Sequence, residues 1–430
     1  MARGLVLAVY NLLLPLVTVL AAPGWLRRMA RRGGWGPKLR ERLGIYDRAP
    51  EFEPGGGIYV HAVSVGEVLL ALKLVAAWRE YDPDEGFVLA CTTSTGLEVA
   101  RNGAPQGVRV IYAPVDFPFL VRRVLRRFEP RLVVLVESEL WPNLLGVAHR
   151  TGVPVALANA RMSPRSERRY RRFLPVVNQF LPLVRWVGAQ ADEHAAVWRD
   201  LGVPGDRVEV TGSVKFDQEG VAPPKKRKEF DESLRSFGSG REVVLAASTH
   251  AGEEVLVARA VRRVAGALAV IVPRHAERRA EVAEALAGAG FEVCLRSRFT
   301  PPEDRDRAVL VADTTGELRD WTAHAGAVVV GKSFLARGGQ NPADAIAAGI
   351  PVVTGPHMQN FEPLVSQLRT AGGIRTARDE AELAAALETV LRDAGTRGTM
   401  TTAARAVLER HRGATARTVD ALRTLAGPRP

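Results

Sequence analysis

Short, near-continuous apolar runs recur at 57–63, 87–91, 108–112, 132–136, 155–159 and 208–211, and again at 243–247, 269–272, 291–295, 309–311, 327–330 and 352–354. Stretches of helix length lie between them. Strands apolar on both faces and alternating with helices predict a parallel sheet covered on both sides. Two such series predict an α/β chain with two Rossmann-like domains. Between the series, residues 217–240 are rich in Lys, Glu, Pro, Gly and Ser and read as a linker. The expected first domain is therefore 27–216 and the second 241–430, the latter ending in an Ala- and Arg-rich helical stretch.

The N-terminus departs from this alternation. Residues 5–22 are interrupted only by Tyr10, Asn11, Pro15 and Thr18, and no charge occurs from Gly4 to Leu26. About 20 apolar residues span a bilayer as a helix. Val19-Leu20-Ala21-Ala22 also offers the small residues of a signal-peptide cleavage site. Against cleavage, Arg27, Arg28, Arg31, Arg32, Lys38, Arg40 and Arg42 follow at once, opposed by Glu41 alone. Such clusters stay cytoplasmic and attract anionic headgroups. A retained anchor over residues 1–26 is the expectation, with the body on the cytoplasmic face of the membrane.

Composition narrows the partners. The 430 residues carry a net charge of +12, which favours a polyanion: nucleic acid, an anionic membrane surface or a phosphorylated substrate. Aromatics make up only 6%, with no basic stripe interleaved with them for stacking bases, so nucleic acid is the weaker option. Cys91 and Cys294 each sit in or beside an apolar run, without metal-ligand spacing, and are expected to be buried and reduced.

Polar groups cluster where the predicted strands end, the edge at which open parallel sheets bind ligands. Glu137-Ser138-Glu139-Leu140-Trp141-Pro142-Asn143 follows one strand, with Asn159-Ala160-Arg161-Met162-Ser163 after the next. His61-Ala62-Val63-Ser64-Val65-Gly66-Glu67 follows another and enters a helix. A carboxylate there suits a general base for a hydroxyl nucleophile. Equally, Ser64 and Glu67 have the spacing of a capping box. Glu137 and Glu139 read either as solvated caps or as a pair needing a cation, for which Arg161 is available. Lys215, in Thr211-Gly212-Ser213-Val214-Lys215-Phe216-Asp217, reads by itself as an exposed loop residue. In the second half, Pro273-Arg274-His275, Thr315-Gly316-Glu317-Leu318 and Gly338-Gly339-Gln340-Asn341-Pro342 end strands or open helices, as phosphate-binding segments do. Asp82-Pro83-Asp84 resembles a metal signature but lies in a turn, and His61, His250, His275 and His357 lack zinc spacing, so no metal is expected.

In order and spacing, these motifs resemble the 3-deoxy-D-manno-octulosonic acid (Kdo) transferases over nearly the whole chain. The resemblance implies the GT-B glycosyltransferase fold, two Rossmann-like domains facing a cleft, and inverting transfer of Kdo from CMP-Kdo to a lipid A precursor (lipid IVA), without a metal or other cofactor. It places the catalytic base on Glu67, transition-state roles on Glu137 and Lys215, and CMP contacts on Pro273, Arg274, Thr315, Gly316, Glu317, Asn341, Pro342, Ala343 and Asp344. His61 either shapes the acceptor site or is structural. The family usually has Leu and Glu where Ala343 and Asp344 stand, and commonly His where Gln340 stands. Two other readings stay open: a GT-B enzyme using a UDP-sugar on a lipid-linked acceptor, and a basic protein that binds anionic lipid or nucleic acid without turnover.

Overall fold

The computed structural model describes residues 3–31, 37–47, 56–138, 140–220 and 222–429. They divide into two units, one comprising residues 1–217 with 411–430, the other residues 218–410. Glu139 and Arg32, both named from the sequence, lie outside the described residues.

The first unit is built on a seven-stranded parallel sheet. Its strands are β1 (Ile58–Ala62), β2 (Phe87–Cys91), β3 (Val108–Tyr112), β4 (Leu132–Val136), β5 (Val155–Ala160), β6 (Val184–Ala189) and β7 (Val208–Val210), in the order β3-β2-β1-β4-β5-β6-β7. Every residue of β1, β2, β4 and β5 is buried. Such strands cannot face water on either side, which is why they read as near-continuous apolar runs. The order reverses between β1 and β4, where His61 lies opposite Leu135. Chain leaving the ends of these two strands therefore diverges to opposite sides and leaves a crevice.

Two apolar layers cover this sheet. One includes Val6 from the N-terminal helix α1 (Arg3–Arg31) and the other Val419 and Leu422 from the helix Ala414–Ala426. The last helix thus belongs with the first unit, not with the second domain as its sequence position suggests. Asp217 fixes this return by accepting from the backbone N–H groups of Gly413 (3.0 Å) and Thr415 (2.8 Å).

The second unit holds β8 (Glu242–Thr249), β9 (Ala267–Pro273), β10 (Glu292–Leu295), β11 (Ala308–Val311), β12 (Ala327–Val330), β13 (Val352–Thr354) and β14 (Arg375–Thr376). Their order is β10-β11-β9-β8-β12-β13-β14, again parallel, with the reversal between β8 and β12. The stretch expected as a linker is largely part of this unit. It forms the helix Lys228–Ser236, whose Phe230 stacks on Trp321 with ring centroids 3.8 Å apart. An aromatic pair buried this way holds the segment against the sheet-covering layer.

Candidate functional site

Glu67 sits in the first turn of the helix α2 (Val65–Tyr81), at the switch point of the first sheet. Ser64 caps that helix by accepting from the Glu67 N–H (3.3 Å). The Glu67 carboxylate in turn accepts from the Val63 N–H (2.8 Å) and the Ser64 hydroxyl (2.8 Å). The capping box is formed, so the structural reading of this residue holds. A carboxylate held in this way is also positioned as a general base must be.

Across the crevice, Glu137 ends β4 with a left-handed backbone (φ 63°), an uncommon conformation for a residue with a side chain. Its N–H is held by the Ala158 carbonyl (3.0 Å), and its carboxylate accepts from Arg161 Nε (3.0 Å). The arginine suggested by charge balance is thus its partner. Asn159 carries a left-handed backbone (φ 53°), is wholly buried, and accepts from the Val214 N–H (3.0 Å). That bond, together with Lys73 donating to the carbonyls of Val214 (3.0 Å) and Asp217 (2.8 Å), fixes the loop that presents Lys215.

Burial of the Lys215 ammonium, assisted by Arg161, lowers its pKa below the ordinary lysine value, against the opposing pull of Glu137. More than a third of the residue's surface nevertheless remains open, so the tip is crowded by protein and still reachable. Glu137, Arg161 and Lys215 therefore form one electrostatic group. Mixed charge held by fixed hydrogen bonds can receive a departing or developing negative charge with little rearrangement.

His61 contributes differently. It is buried without a hydrogen bond at either ring nitrogen, and burial pushes its pKa down to about 4, so the ring is neutral. Its centroid lies 5.6 Å from that of Trp141. Asp116, which sequence reasoning missed, accepts from the N–H groups of Asn143 (3.0 Å) and Leu144 (3.0 Å) and from the Tyr10 hydroxyl (3.1 Å). Burial pushes its pKa up to about 7, against those hydrogen bonds. The only sequence signal was its place in Pro114-Val115-Asp116-Phe117-Pro118, before a helix.

In the second unit the predicted nucleotide motifs follow β9, β11 and β12. Pro273 is buried at the end of β9, and the exposed Arg274 donates its N–H to the Thr249 carbonyl (3.0 Å), at the end of β8. Thr315 and Gly316 are exposed, with Gly316 left-handed (φ 81°). Glu317 is already engaged: it bonds to the Thr314 hydroxyl and faces Arg227 at 3.5 Å and Arg296 at 3.6 Å. Asn341 turns back to accept from the Ala343 N–H (3.1 Å), and Asp344 accepts from the Gln218 amide (3.4 Å). Pro342 and Ala343 are buried beneath them. The helices opened by Glu317 and Pro342 have only five residues each, so their dipoles add less than the sequence suggested.

Sequence reasoning also missed the group that holds this region together. Glu253, wholly buried, accepts from four backbone N–H groups: His250 (2.9 Å), Lys332 (2.6 Å), Ser333 (2.9 Å) and Phe334 (3.0 Å). It clamps the loops after β8 and β12 on either side of the switch point. Gly331 is required there, because a Cβ would come within 2.3 Å of the Ser248 carbonyl oxygen. Both cysteines are buried and free, and among the described residues no group of three His, Cys, Asp or Glu side chains could hold a metal.

Two Rossmann-like units, each with its polar cluster at the switch point of a parallel sheet, define a GT-B-type protein. Solved structures agree on the fold: an S. aureus MnaA–UDP co-structure (TM-score 0.53, 15% identity, 87% of this chain and 99% of that one) and a Neisseria meningitidis UDP-GlcNAc 2-epimerase bound to UDP-GlcNAc (TM-score 0.51, 11% identity, 82% and 99%). Residues 37–218 match the family model described as 3-deoxy-D-manno-octulosonic-acid transferase (kdotransferase). Curated 3-deoxy-D-manno-octulosonic acid transferases are 36% identical in Bordetella pertussis, over 98% of this chain and 99% of that protein, and 31% identical in Haemophilus influenzae, over 90% and 91%. The chain belongs to the Kdo transferase family and is a glycosyltransferase.

Proposed function

We propose that this Kdo transferase takes Kdo from CMP-Kdo and places it, with inversion at the anomeric carbon, on a phosphorylated lipid A precursor of the lipid IVA type, in lipopolysaccharide inner-core synthesis. The observation that carries the reading is the switch-point cluster of the first unit: a clamped carboxylate on one side of the crevice, and an Arg161–Glu137 pair with Lys215 on the other. Glu67 takes the proton of the acceptor hydroxyl as that oxygen attacks the anomeric carbon and the bond to CMP breaks on the opposite face. Lys215 and Arg161 stabilise negative charge, and Glu137 sets the position and balance of those cations. The second unit holds the nucleotide through Arg274 and the segments 315–317 and 341–344. No metal takes part in this scheme.

The acceptor's amphiphilic character fits the N-terminal segment. The helix α1 is apolar over Arg3–Gly24, long enough to cross a membrane, and followed by basic residues. We place the enzyme at the cytoplasmic face of an inner membrane. Nucleotide choice tests the reading against a UDP-sugar enzyme: CMP should raise the melting temperature of the second unit and UDP should not. Protection by UDP but not by CMP would contradict it, and protection by neither would favour an anionic-lipid binder without turnover.

A further inference from the structure

The first half of α1 is tied to its unit. Val6 is buried, Arg3 donates to the Gln179 carbonyl (2.7 Å), Tyr10 reaches Asp116, and Asn11 and Asn143 exchange amide hydrogen bonds. The second half lines a groove of about 380 Å³, with Leu14, Val17 and Ala21 among its helix wall and Thr92, Ala113 and Trp141 among its floor. That volume lies within the ~300–1,000 Å³ usual for small-ligand sites.

The walls are almost wholly apolar, yet several residues of the floor carry buried polar atoms without a partner. They are both ring nitrogens of His61, the Thr92 hydroxyl and the Trp141 indole N–H. Folded proteins rarely leave several such atoms unpaired in one place, since each costs about 1–3 kcal/mol. Arg42 adds a fixed cation beside them, donating to the Thr92 carbonyl (2.6 Å) and lying 4.2 Å over the Tyr112 ring. A sugar or nucleotide would waste the walls, and a plain alkane would leave the floor unpaired. A fatty acyl chain bearing a carbonyl or hydroxyl satisfies both.

The floor also leads to the reacting end. The Thr92 N–H bonds to the Ala62 carbonyl (3.1 Å) and the Thr93 hydroxyl to the Val63 carbonyl (3.1 Å). Val63 is the residue whose N–H holds Glu67.

We propose that this groove seats one acyl chain of the acceptor. The aliphatic part lies along α1, and the Trp141, Thr92 and His61 side chains turn to meet the chain's oxygen functions, so that the sugar hydroxyl is delivered toward Glu67. This rests on the lipid acceptor of the proposed function. The acyl chain, rather than the phosphorylated sugar alone, then supplies much of the acceptor's affinity.

The test compares KM of the full-length enzyme in detergent for a tetra-acylated glucosamine disaccharide bisphosphate with KM for the same disaccharide fully deacylated. Ala22→Trp fills the groove from a half-exposed helix position, and Trp141→Phe deletes the indole donor. Ala22→Trp should raise KM for the acylated acceptor at least tenfold relative to the deacylated one, and Trp141→Phe roughly fivefold, about 1 kcal/mol. An unchanged melting temperature of the first unit establishes that each variant is folded. An unchanged KM ratio in both folded variants overturns the groove. Should the parent transfer to neither acceptor, the proposed function fails, and retention of the tetra-acylated probe in native mass spectrometry decides the groove by itself. Retention lost on Ala22→Trp supports it, and equal retention by parent and variant overturns it.

Discussion

Glu67→Gln separates the two roles that Glu67 could have. Glutamine serves in a capping box as well as glutamate does. Its carbonyl oxygen can accept from Val63, and its amide can donate to Ser64, replacing the two bonds of 2.8 Å. What changes is the charge. Two charge-assisted bonds become neutral ones, and a first-turn acid is lost, for a combined cost of about 1–2 kcal/mol. In a unit of this size that is a fall of roughly 2–8 °C in melting temperature. The amide cannot take a proton, so loss of a general base should reduce turnover roughly 100- to 10,000-fold, about 3–5 kcal/mol of barrier. The assay pairs initial rates of transfer with the melting curve and with CMP affinity, which should stay within about twofold because the nucleotide segments lie in the other unit. Glu67→Ala, which also strands the Val63 N–H, should lose stability and activity together. A Glu67→Gln rate within tenfold of the parent would assign the residue to the cap alone.

Five further outcomes are expected. Since Arg161 helps hold the Lys215 pKa down and engages Glu137, Arg161→Gln should raise that pKa and move the alkaline limb of the kcat profile upward; an unmoved limb would show that Lys215 does not control it. Between the folded value and the ordinary 10.5 the unfolded chain binds more protons at Lys215, so its contribution to stability rises with pH across that window. Arg274→Ala should weaken CMP at least tenfold by calorimetry without changing the melting curve, whereas Glu317→Ala should do both, because Glu317 also balances Arg227 and Arg296; intact CMP affinity in both variants would move the donor site elsewhere. Deleting residues 1–25 removes buried Val6, worth about 1.5–3 kcal/mol, and the partners of Asp116 and Asn143, so the first unit should melt lower while CMP still protects the second; membrane retention of the truncated chain at high salt would reveal another insertion surface. Transfer should persist in excess chelator, and loss of rate restored by magnesium would expose a metal role.

The sheets were legible because a strand buried on both faces must be apolar at every position, as in Leu132–Val136 and Ala327–Val330. β14 escaped notice because it is only two residues long, and β6 was missed as well. Boundaries were less legible for a different reason. Whether 222–240 and 411–430 belong to one unit or the other is decided by partners more than 80 residues away, such as Trp321 for Phe230 and Asp217 for Thr415. The same limit applied to the site. Glu67, Glu137 and Lys215 stand at strand ends and could be named from position, but Glu253 and Asp116 look like ordinary acids until the loops they clamp are seen. The apolar N-terminus announced a membrane segment. That one face of it packs on the first unit through Val6, Tyr10 and Asn11 rests on polar interruptions that a hydropathy reading treats only as blemishes.

The central claim is Kdo transfer from a cytidine nucleotide to a lipid A precursor, and the product of that reaction tests it most directly. Purified full-length enzyme is incubated with CMP-Kdo and tetra-acylated lipid IVA, and the lipid is then weighed by mass spectrometry, with Glu67→Gln run in parallel. The expected product is lipid heavier by one or more Kdo residues with release of CMP, its new linkage inverted relative to the donor, and almost none of it from the variant. Lipid of unchanged mass beside a folded, CMP-binding enzyme, or equal product from both proteins, would contradict that claim.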